Sequence, residues 1–401
     1  MTSVIIKPLL PAYGGYTVAR DDKIILVKGA IPGEVVEVTV QEKKRDYTLA
    51  TVSQVVEPSE HRVEPKCPVF GICGGCHLQY VSYERQLSMK EEVLADSLAR
   101  LGGIEIMPGP SMSGAQWHYR HRAQFKVSRH GNTGFFRDSS RDVVEFEACP
   151  LMKEEINVLL QSIKARALAH GLKEIHLSVA DAAAALLKHD GGYSCVPDLF
   201  RESGITTIAC NDELSEGSGY VTFDLLGLKY TVSPWSFFQA HWSLNTQVAE
   251  HIGVLAGPLE GQTVLDLYAG AGNFSLPLAE KAREILLVEE NPRAIEDGAR
   301  NIKLNRLKNC RFVKSSAEKY RIQKKTDLLI LDPPRPGLAA EVAKKIIEHA
   351  PARIIYISCN PSTLARDLKK LKEKYEITSI RMIDFFPNTF HIEAAVFLQI
   401  R

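Results

Sequence analysis

The chain has 401 residues, 45% of them hydrophobic and 24% charged, more than one ordinary hydrophobic core absorbs. With 49 Lys and Arg against 48 Asp and Glu, the formal charge is +1, so no global field recruits an acidic partner and nucleic-acid binding needs local basic patches. The start, Met1-Thr-Ser-Val-Ile-Ile-Lys7, has no secretory apolar region, and no apolar run reaches about 18 residues, so a cytoplasmic protein that does not span a membrane is expected.

Residues 14 to 57 alternate β-rich runs with Gly and Pro turns, which predicts a small antiparallel barrel over residues 1–57. Its Lys43-Lys-Arg-Asp-Tyr47 loop offers cations and an aromatic ring to RNA, or is simply a solvated loop. Eight cysteines in a reducing compartment read as metal ligands or catalytic thiols rather than disulfides. Cys67, Cys73, Cys76 and the distant Cys149-Pro150 supply a complete thiolate set, for which a [4Fe–4S] cluster is the first choice and zinc the rival. Cys195, Cys210 and Cys310 are isolated and read as structural. Leu87, Leu94, Leu98 and Leu101 predict a helix from Tyr83 that Gly102-Gly103 stops. Residues 117 to 137 interleave aromatics and cations (Trp117-His-Tyr-Arg-His-Arg122, Phe125-Lys126, Phe135-Phe-Arg137). They read either as a base-stacking, phosphate-holding surface or as strands with an ordinary half-buried face. The rest of the central α+β region, 58–235, carries no recognisable chemistry.

From Thr263 the pattern becomes strand, turn, helix, which predicts a doubly wound, Rossmann-like parallel sheet in a domain over 236–401. Val264-Leu-Asp-Leu-Tyr-Ala-Gly-Ala-Gly-Asn273 is a strand feeding a glycine turn, and Glu289 ends the next strand, a pairing suited to a nucleoside. Asp266, with no third glycine for a pyrophosphate, favours S-adenosylmethionine over a dinucleotide. Leu329-Ile-Leu-Asp-Pro-Pro-Arg-Pro-Gly337 and Ile354-Ile-Tyr-Ile-Ser-Cys-Asn-Pro-Ser-Thr363 are buried strands ending in polar turns, so Asp332 and Cys359 should reach one sheet edge.

These two motifs, followed by Asp384-Phe-Phe-Pro-Asn-Thr-Phe-His-Ile-Glu393 and preceded by Phe237-Phe-Gln239, make nearly the whole chain resemble the RNA 5-methyluridine methyltransferases. The resemblance implies an OB-like TRAM barrel at the N-terminus and Cys67, Cys73, Cys76 and Cys149 as iron–sulfur ligands. It also implies Cys359 as nucleophile, Glu393 as base, and S-adenosylmethionine contacts at Gln239, Tyr268, Asn273, Glu289 and Asp332. His241, Ala269, Ser316 and Asn388 depart from the usual family residues without removing nucleophile, base or cofactor carboxylates. The implied partner is RNA, ribosomal ahead of transfer RNA, and the implied state a monomer. Two alternatives stand beside it: an amino-methyltransferase, although Arg335 sits where such an enzyme stacks an aromatic residue, and an iron–sulfur RNA-binding protein with a retired catalytic domain.

Overall fold

The computed structural model describes residues 3–167, 171–189, 203–323 and 325–401. Strands β1 (Ser3–Ile6), β2 (Leu10–Ala12), β3 (Tyr16–Arg20), β4 (Ile24–Lys28), β5 (Val35–Lys43) and β6 (Tyr47–Glu57) form a sheet in the order β1-β5-β6-β4-β3-β2. Alternation along the strands sends Val27, Val36, Val38 and Ala50 into one small core. The sheet is not antiparallel throughout, as expected from the sequence, because β6 pairs parallel with β4, Val27 opposite Ala50. The cause is the path of the chain. The β5–β6 hairpin folds back so that β6 reaches β4 running in the same direction.

Helix α1 (Tyr83–Ser97) and strand β7 (Gly109–Met112) follow, then β8 (Arg122–Val127), β9 (Thr133–Phe136), β10 (Val143–Glu145), α2 (Glu154–Ala167), β11 (Leu172–Val179), β12 (Ala183–His189), β13 (Thr207–Cys210) and β14 (Glu213–Glu216). All of these strands except β7 form a second sheet, ordered β10-β9-β8-β11-β12-β13-β14. Ile156, Leu160 and Ile163 of α2 cover its Phe125, Ile175 and Leu187. Here one expectation is corrected: Cys210 is disulfide-bonded, so the reducing-compartment argument does not hold for every cysteine. Cys195 lies outside the described residues. Cys310 is a free, buried thiol, consistent with a structural role.

The last part begins with a hairpin, β15 (Val221–Leu225) and β16 (Leu228–Val232), then α3 (Trp242–Ala256), β17 (Thr263–Leu267), β18 (Glu284–Glu289), α4 (Pro292–Leu304), β19 (Cys310–Lys314), β20 (Leu328–Leu331), α5 (Ala340–His349), β21 (Arg353–Ser358), α6 (Pro361–Leu371), β22 (Tyr375–Ile383) and β23 (Glu393–Ile400). Its sheet is ordered β19-β18-β17-β20-β21-β23-β22-β7. Strands β17 to β21 are parallel, and β23 runs antiparallel to both neighbours. Their apolar runs are continuous because both faces are covered. Leu265, Leu329 and Ile354 meet α5 and α6 on one face, whereas Val264, Leu328 and Ile355 meet α3 on the other.

Helix α1 belongs physically to this layer: its Val93 and Leu94, with Leu98, pack against Leu331, Leu364 and Leu368. It also carries Lys90, whose Nζ donates to Asp384 Oδ1 at 2.7 Å, while Tyr83 donates to Asp384 Oδ2 at 3.0 Å. Lys90 and Asp384 are almost wholly buried, and removing one partner of such a pair typically costs about 3–5 kcal/mol. Among the described residues no helix is long and apolar enough to cross a membrane.

Candidate active site

Strand order reverses between β17 and β20, so a crevice opens beyond their carboxyl ends. Register then decides what stands there. Leu267 is opposite Leu331 and Val288, which places Tyr268, Asp332 and Glu289 at one edge. On the other side Ser358 pairs with Ala394 across the antiparallel β21–β23 ladder, so one step further Cys359 faces Glu393. Nucleophile and base candidates thus come together because β23 runs against its neighbours.

The glycine turn after β17 is sterically fixed. Gly272 has φ +86°, and a Cβ there would come 2.6 Å from Leu276 Cγ. Tyr268 also occupies the left-handed region, at φ +64°, a costly conformation for a bulky residue that the surrounding turn enforces. Glu289 is pre-aimed by backbone donors: Gly270 N at 2.9 Å to one oxygen, Glu290 N at 2.9 Å and Asn291 N at 2.8 Å to the other. Asn273 and Asn245 exchange side-chain amide bonds of 2.8 Å in both directions. Gln239 is buried, and its Oε1 has no hydrogen-bond partner. A buried acceptor left unpaired is costly, which fits a polar ligand at this position.

Three carboxyls shape the electrostatics, Asp266 and Glu393 buried and Asp332 half-buried. Burial pushes Asp266 up to about 8, with Asp332 and Glu289 nearby adding to the rise and a 2.5 Å hydrogen bond from Ser275 opposing it. Burial alone takes Asp332 to about 7. Glu393 reaches about 8 through burial first and Asp332 second, with Arg335 pulling the other way. The Cys359 thiol is raised to about 11 by burial and by Glu393 and Asp332, again against Arg335. A cationic ligand or a transiently placed guanidinium would lower all four together. Arg335, which was not among the expected site residues, is an exposed guanidinium that already acts this way on two of the four, Glu393 and Cys359. Its signal was present in the stiff Asp-Pro-Pro-Arg turn. His391, which the Asp384–Glu393 motif contains but which was given no role, lines the same cavity, and burial holds it neutral at about 4.

That cavity, of about 680 Å³, runs from Cys359, Glu393 and Arg335 past Phe237, Arg120 and Phe386 to Cys67, Cys73, Cys76 and Cys149. The four thiols are free, and burial drives Cys76 to about 12 and Cys149 to about 11. Backbone turns present them: Cys73 N donates to Val69 O at 2.9 Å, and Cys149 N to Asn157 Oδ1 at 2.9 Å. Among the described residues, no group of three or more His, Cys, Asp or Glu is placed to hold a single metal ion.

The aromatic and basic stretch 117–137 is divided between core and surface. Phe125 is fully buried, Phe135 stacks on it at 5.4 Å, and Tyr119 stacks on His241 at 4.7 Å. Arg122 is a structural cation, donating to Ser236 O at 2.5 Å, and burial lowers its guanidinium to about 10. Trp117 is half-buried under Lys66 at 5.0 Å, and His118, Arg129, His130, Phe136 and Arg137 are exposed. The half-buried strand reading is the better one for most of this stretch. Two departures from family residues also have local reasons. His241 caps α3, with Nε2 at 3.1 Å from Ala115 O, and a Cβ on Gly114 would fall 2.7 Å from its ring. Asn388 adopts φ +66° and holds Gln86 by two hydrogen bonds, 2.9 and 3.1 Å.

Residues 226–401 match the tRNA (uracil-5-)-methyltransferase family model. The whole chain is similar to an RNA methyltransferase of Aquifex aeolicus, 35% identical over 97% of this chain and 96% of the relative. It is also similar to the 23S rRNA (uracil(1939)-C(5))-methyltransferase RlmD of Vibrio vulnificus, 31% identical over 94% and 91%. Among solved structures, the Pyrococcus abyssi tRNA (uracil-54, C5)-methyltransferase in complex with S-adenosyl-L-homocysteine superposes with a TM-score of 0.80 at 25% identity, covering 99% of this chain and 100% of that one.

Proposed function

The chain belongs to the RNA uracil-C5 methyltransferases that use S-adenosylmethionine, and from that premise we propose that it methylates a uridine of ribosomal RNA through a covalent Cys359 adduct. The observation that carries the mechanism is the β21–β23 register, which sets Cys359 opposite Glu393 in a cavity that also holds Arg335. The ribosomal target rests on the full-length likeness to RlmD. An amino-methyltransferase is set aside by the family.

Uracil C5 is a poor nucleophile until C6 is substituted. Cys359 gives its proton to solvent and its thiolate adds to C6, moving the ring electron pair toward C5 and the C4 oxygen. Arg335 favours both the thiolate and that developing charge. The C5 electron pair then attacks the sulfonium methyl that S-adenosylmethionine would supply, the methyl–sulfur bond breaking to leave the neutral thioether S-adenosylhomocysteine. Glu393, in its ionised form, removes the C5 proton; the electrons left behind restore the C5–C6 double bond and expel Cys359. Gln239, Tyr268, Asn273, Glu289 and Asp332 would hold the cofactor, and the unpaired Gln239 acceptor and pre-aimed Glu289 support this. Flipping the uridine out of its stack gives it access to the cavity.

We further assign Cys67, Cys73, Cys76 and Cys149 to a [4Fe–4S] cluster, supported by four free thiols facing one cavity, with no step of methyl transfer passing through it. The N-terminal sheet over 1–57 fits the TRAM role. The decisive experiment incubates purified protein with separate ribosomal and transfer RNA and maps 5-methyluridine by nucleoside mass spectrometry. Methyl groups confined to transfer RNA would overturn the target. With 5-fluorouridine RNA, no denaturation-resistant adduct would overturn the covalent step.

A further inference from the structure

The segment from Asp384 to Glu393 must keep its shape for Glu393 to face Cys359, and, beside hydrogen bonds from His77 N and Leu78 N to Asn388 O and from Tyr119 to Pro387 O, three sets of side-chain contacts pin it. Lys90 and Tyr83 hold Asp384, and Gln86 holds Asn388, so the first two pins come from α1. The third comes from the N-terminal sheet. Tyr13, just past β2, packs partly buried against the catalytic core, its ring edge-on to Phe390 at 5.6 Å and 80°. The turn behind it lies on the same corner, since a Cβ on Gly15 would come 3.4 Å from His77 Cβ and 3.5 Å from Phe390 Cβ. Phe390 in turn contacts His391 and His77, both at 4.5 Å, and His391 lines the cavity beside Cys359 and Glu393.

We propose that Tyr13 is a positioning residue for methyl transfer, through which the N-terminal sheet holds the Phe390–His391 corner against the reacting groups. The proposal rests on the roles assigned above to Cys359 and Glu393. It gives this sheet a part in turnover as well as in RNA contact. The environment of the phenol is consistent: burial raises it above its ordinary value, and Arg335, Cys359 and Glu393 all act on it. The ring rather than the hydroxyl does the holding, because the edge-on contact to Phe390 is what reaches the corner.

The test uses full-length protein. Tyr13→Ala should lower kcat roughly three- to tenfold, the range set by losing one aromatic pair, with the KM for RNA and the affinity for S-adenosylmethionine held within about twofold. Tyr13→Phe should restore most of that loss. Phe390→Ala should give the same deficit, and the double variant should lose little more, because both act through one contact. Unchanged melting and cofactor binding exclude misfolding. A rise in KM alone, an unaltered kcat, or additive losses in the double variant would each overturn the proposal. Trapping with 5-fluorouridine RNA separates the premises. A wild-type adduct formed at the same rate by Tyr13→Ala counts against Tyr13, whereas no adduct in the wild type counts against the nucleophile, and the kcat and coupling results then decide Tyr13.

Discussion

The sheet edge at Asp332, Cys359 and Glu393 and the aromatic-rich strands at 117–137 both advertise function in sequence, yet in three dimensions the first brings its marked residues to one edge while the second divides them between core and surface. At the sheet edge, Asp332 and Cys359 follow the last paired residues of β20 and β21 and Glu393 opens the antiparallel β23, so all three stand at the end of the sheet where the crevice lies. Along β8 and β9, side chains alternate, so half of any aromatic run must enter the core. Phe125 is fully buried while its neighbour Gln124 is exposed. Position relative to a strand end therefore predicts where a side chain is placed better than residue type within a strand does.

The sharpest way to break that comparison is to remove the two end residues separately. Cys359→Ala should abolish turnover, with a loss on the order of 10⁴-fold or more as for other nucleophile deletions, and should not crosslink to 5-fluorouridine RNA. Glu393→Gln should lose about 10²- to 10⁴-fold and accumulate a methylated protein–RNA adduct visible on denaturing gels. If Glu393→Gln turned over normally, the pairing would be structural only.

On the strand side, Phe125→Ala should cost about 3–5 kcal/mol of stability, whereas Phe136→Ala should leave melting nearly unchanged and weaken RNA binding. Denaturant titration and RNA binding on the two variants measure the contrast directly. Equal destabilisation would mean that exposure does not separate them.

Legibility followed the same division. The parallel sheet, its glycine turn and its carboxylate edge were readable because each depends on local grammar: an apolar run, a breaker, a polar turn. The parallel β4–β6 pair and the bond between His241 and Ala115 O were not, because each is decided by contacts between residues distant in sequence. Helix α1 was legible as a helix. Its buried Lys90–Asp384 pair was invisible, since a charged residue on a helix reads as solvated until its partner is known.

The three carboxyls predict opposite pH trends for activity and stability. Folded values of about 8, 7 and 8 for Asp266, Asp332 and Glu393 lie well above those of an unfolded chain, so between the two the folded state binds more protons. Their contribution is fully present below about pH 4 and is lost as pH rises toward 8, so melting temperature should fall over that range and Asp332→Asn should flatten the fall. Activity should instead rise with pH through about 8, because Glu393 must be ionised and Cys359 deprotonated. Melting curves and kcat/KM between pH 6 and 9 test both. Parallel trends would contradict the assignment of Glu393 as base.

The smallest effect expected lies farthest from the sheet edge, in the loop between β5 and β6. Lys43, Lys44 and Arg45 are exposed, but Lys44 already pairs with Glu42, so Lys43 and Arg45 are the more available cations of the three. Phosphate contacts release counterions, and each one lost should reduce the salt dependence of RNA binding by about one unit of slope. Lys43→Ala and Arg45→Ala should therefore raise the KM for RNA a fewfold at low salt, converge with wild type at high salt, and leave kcat and cofactor affinity alone. Arg122→Ala makes the comparison informative, because its guanidinium is spent on Ser236 and the Phe238 ring. That variant should lose stability without the salt signature. If Arg122→Ala instead flattened the salt dependence while the loop variants did not, the basic contact to RNA would run through the central sheet, and the loop would be only a wet surface.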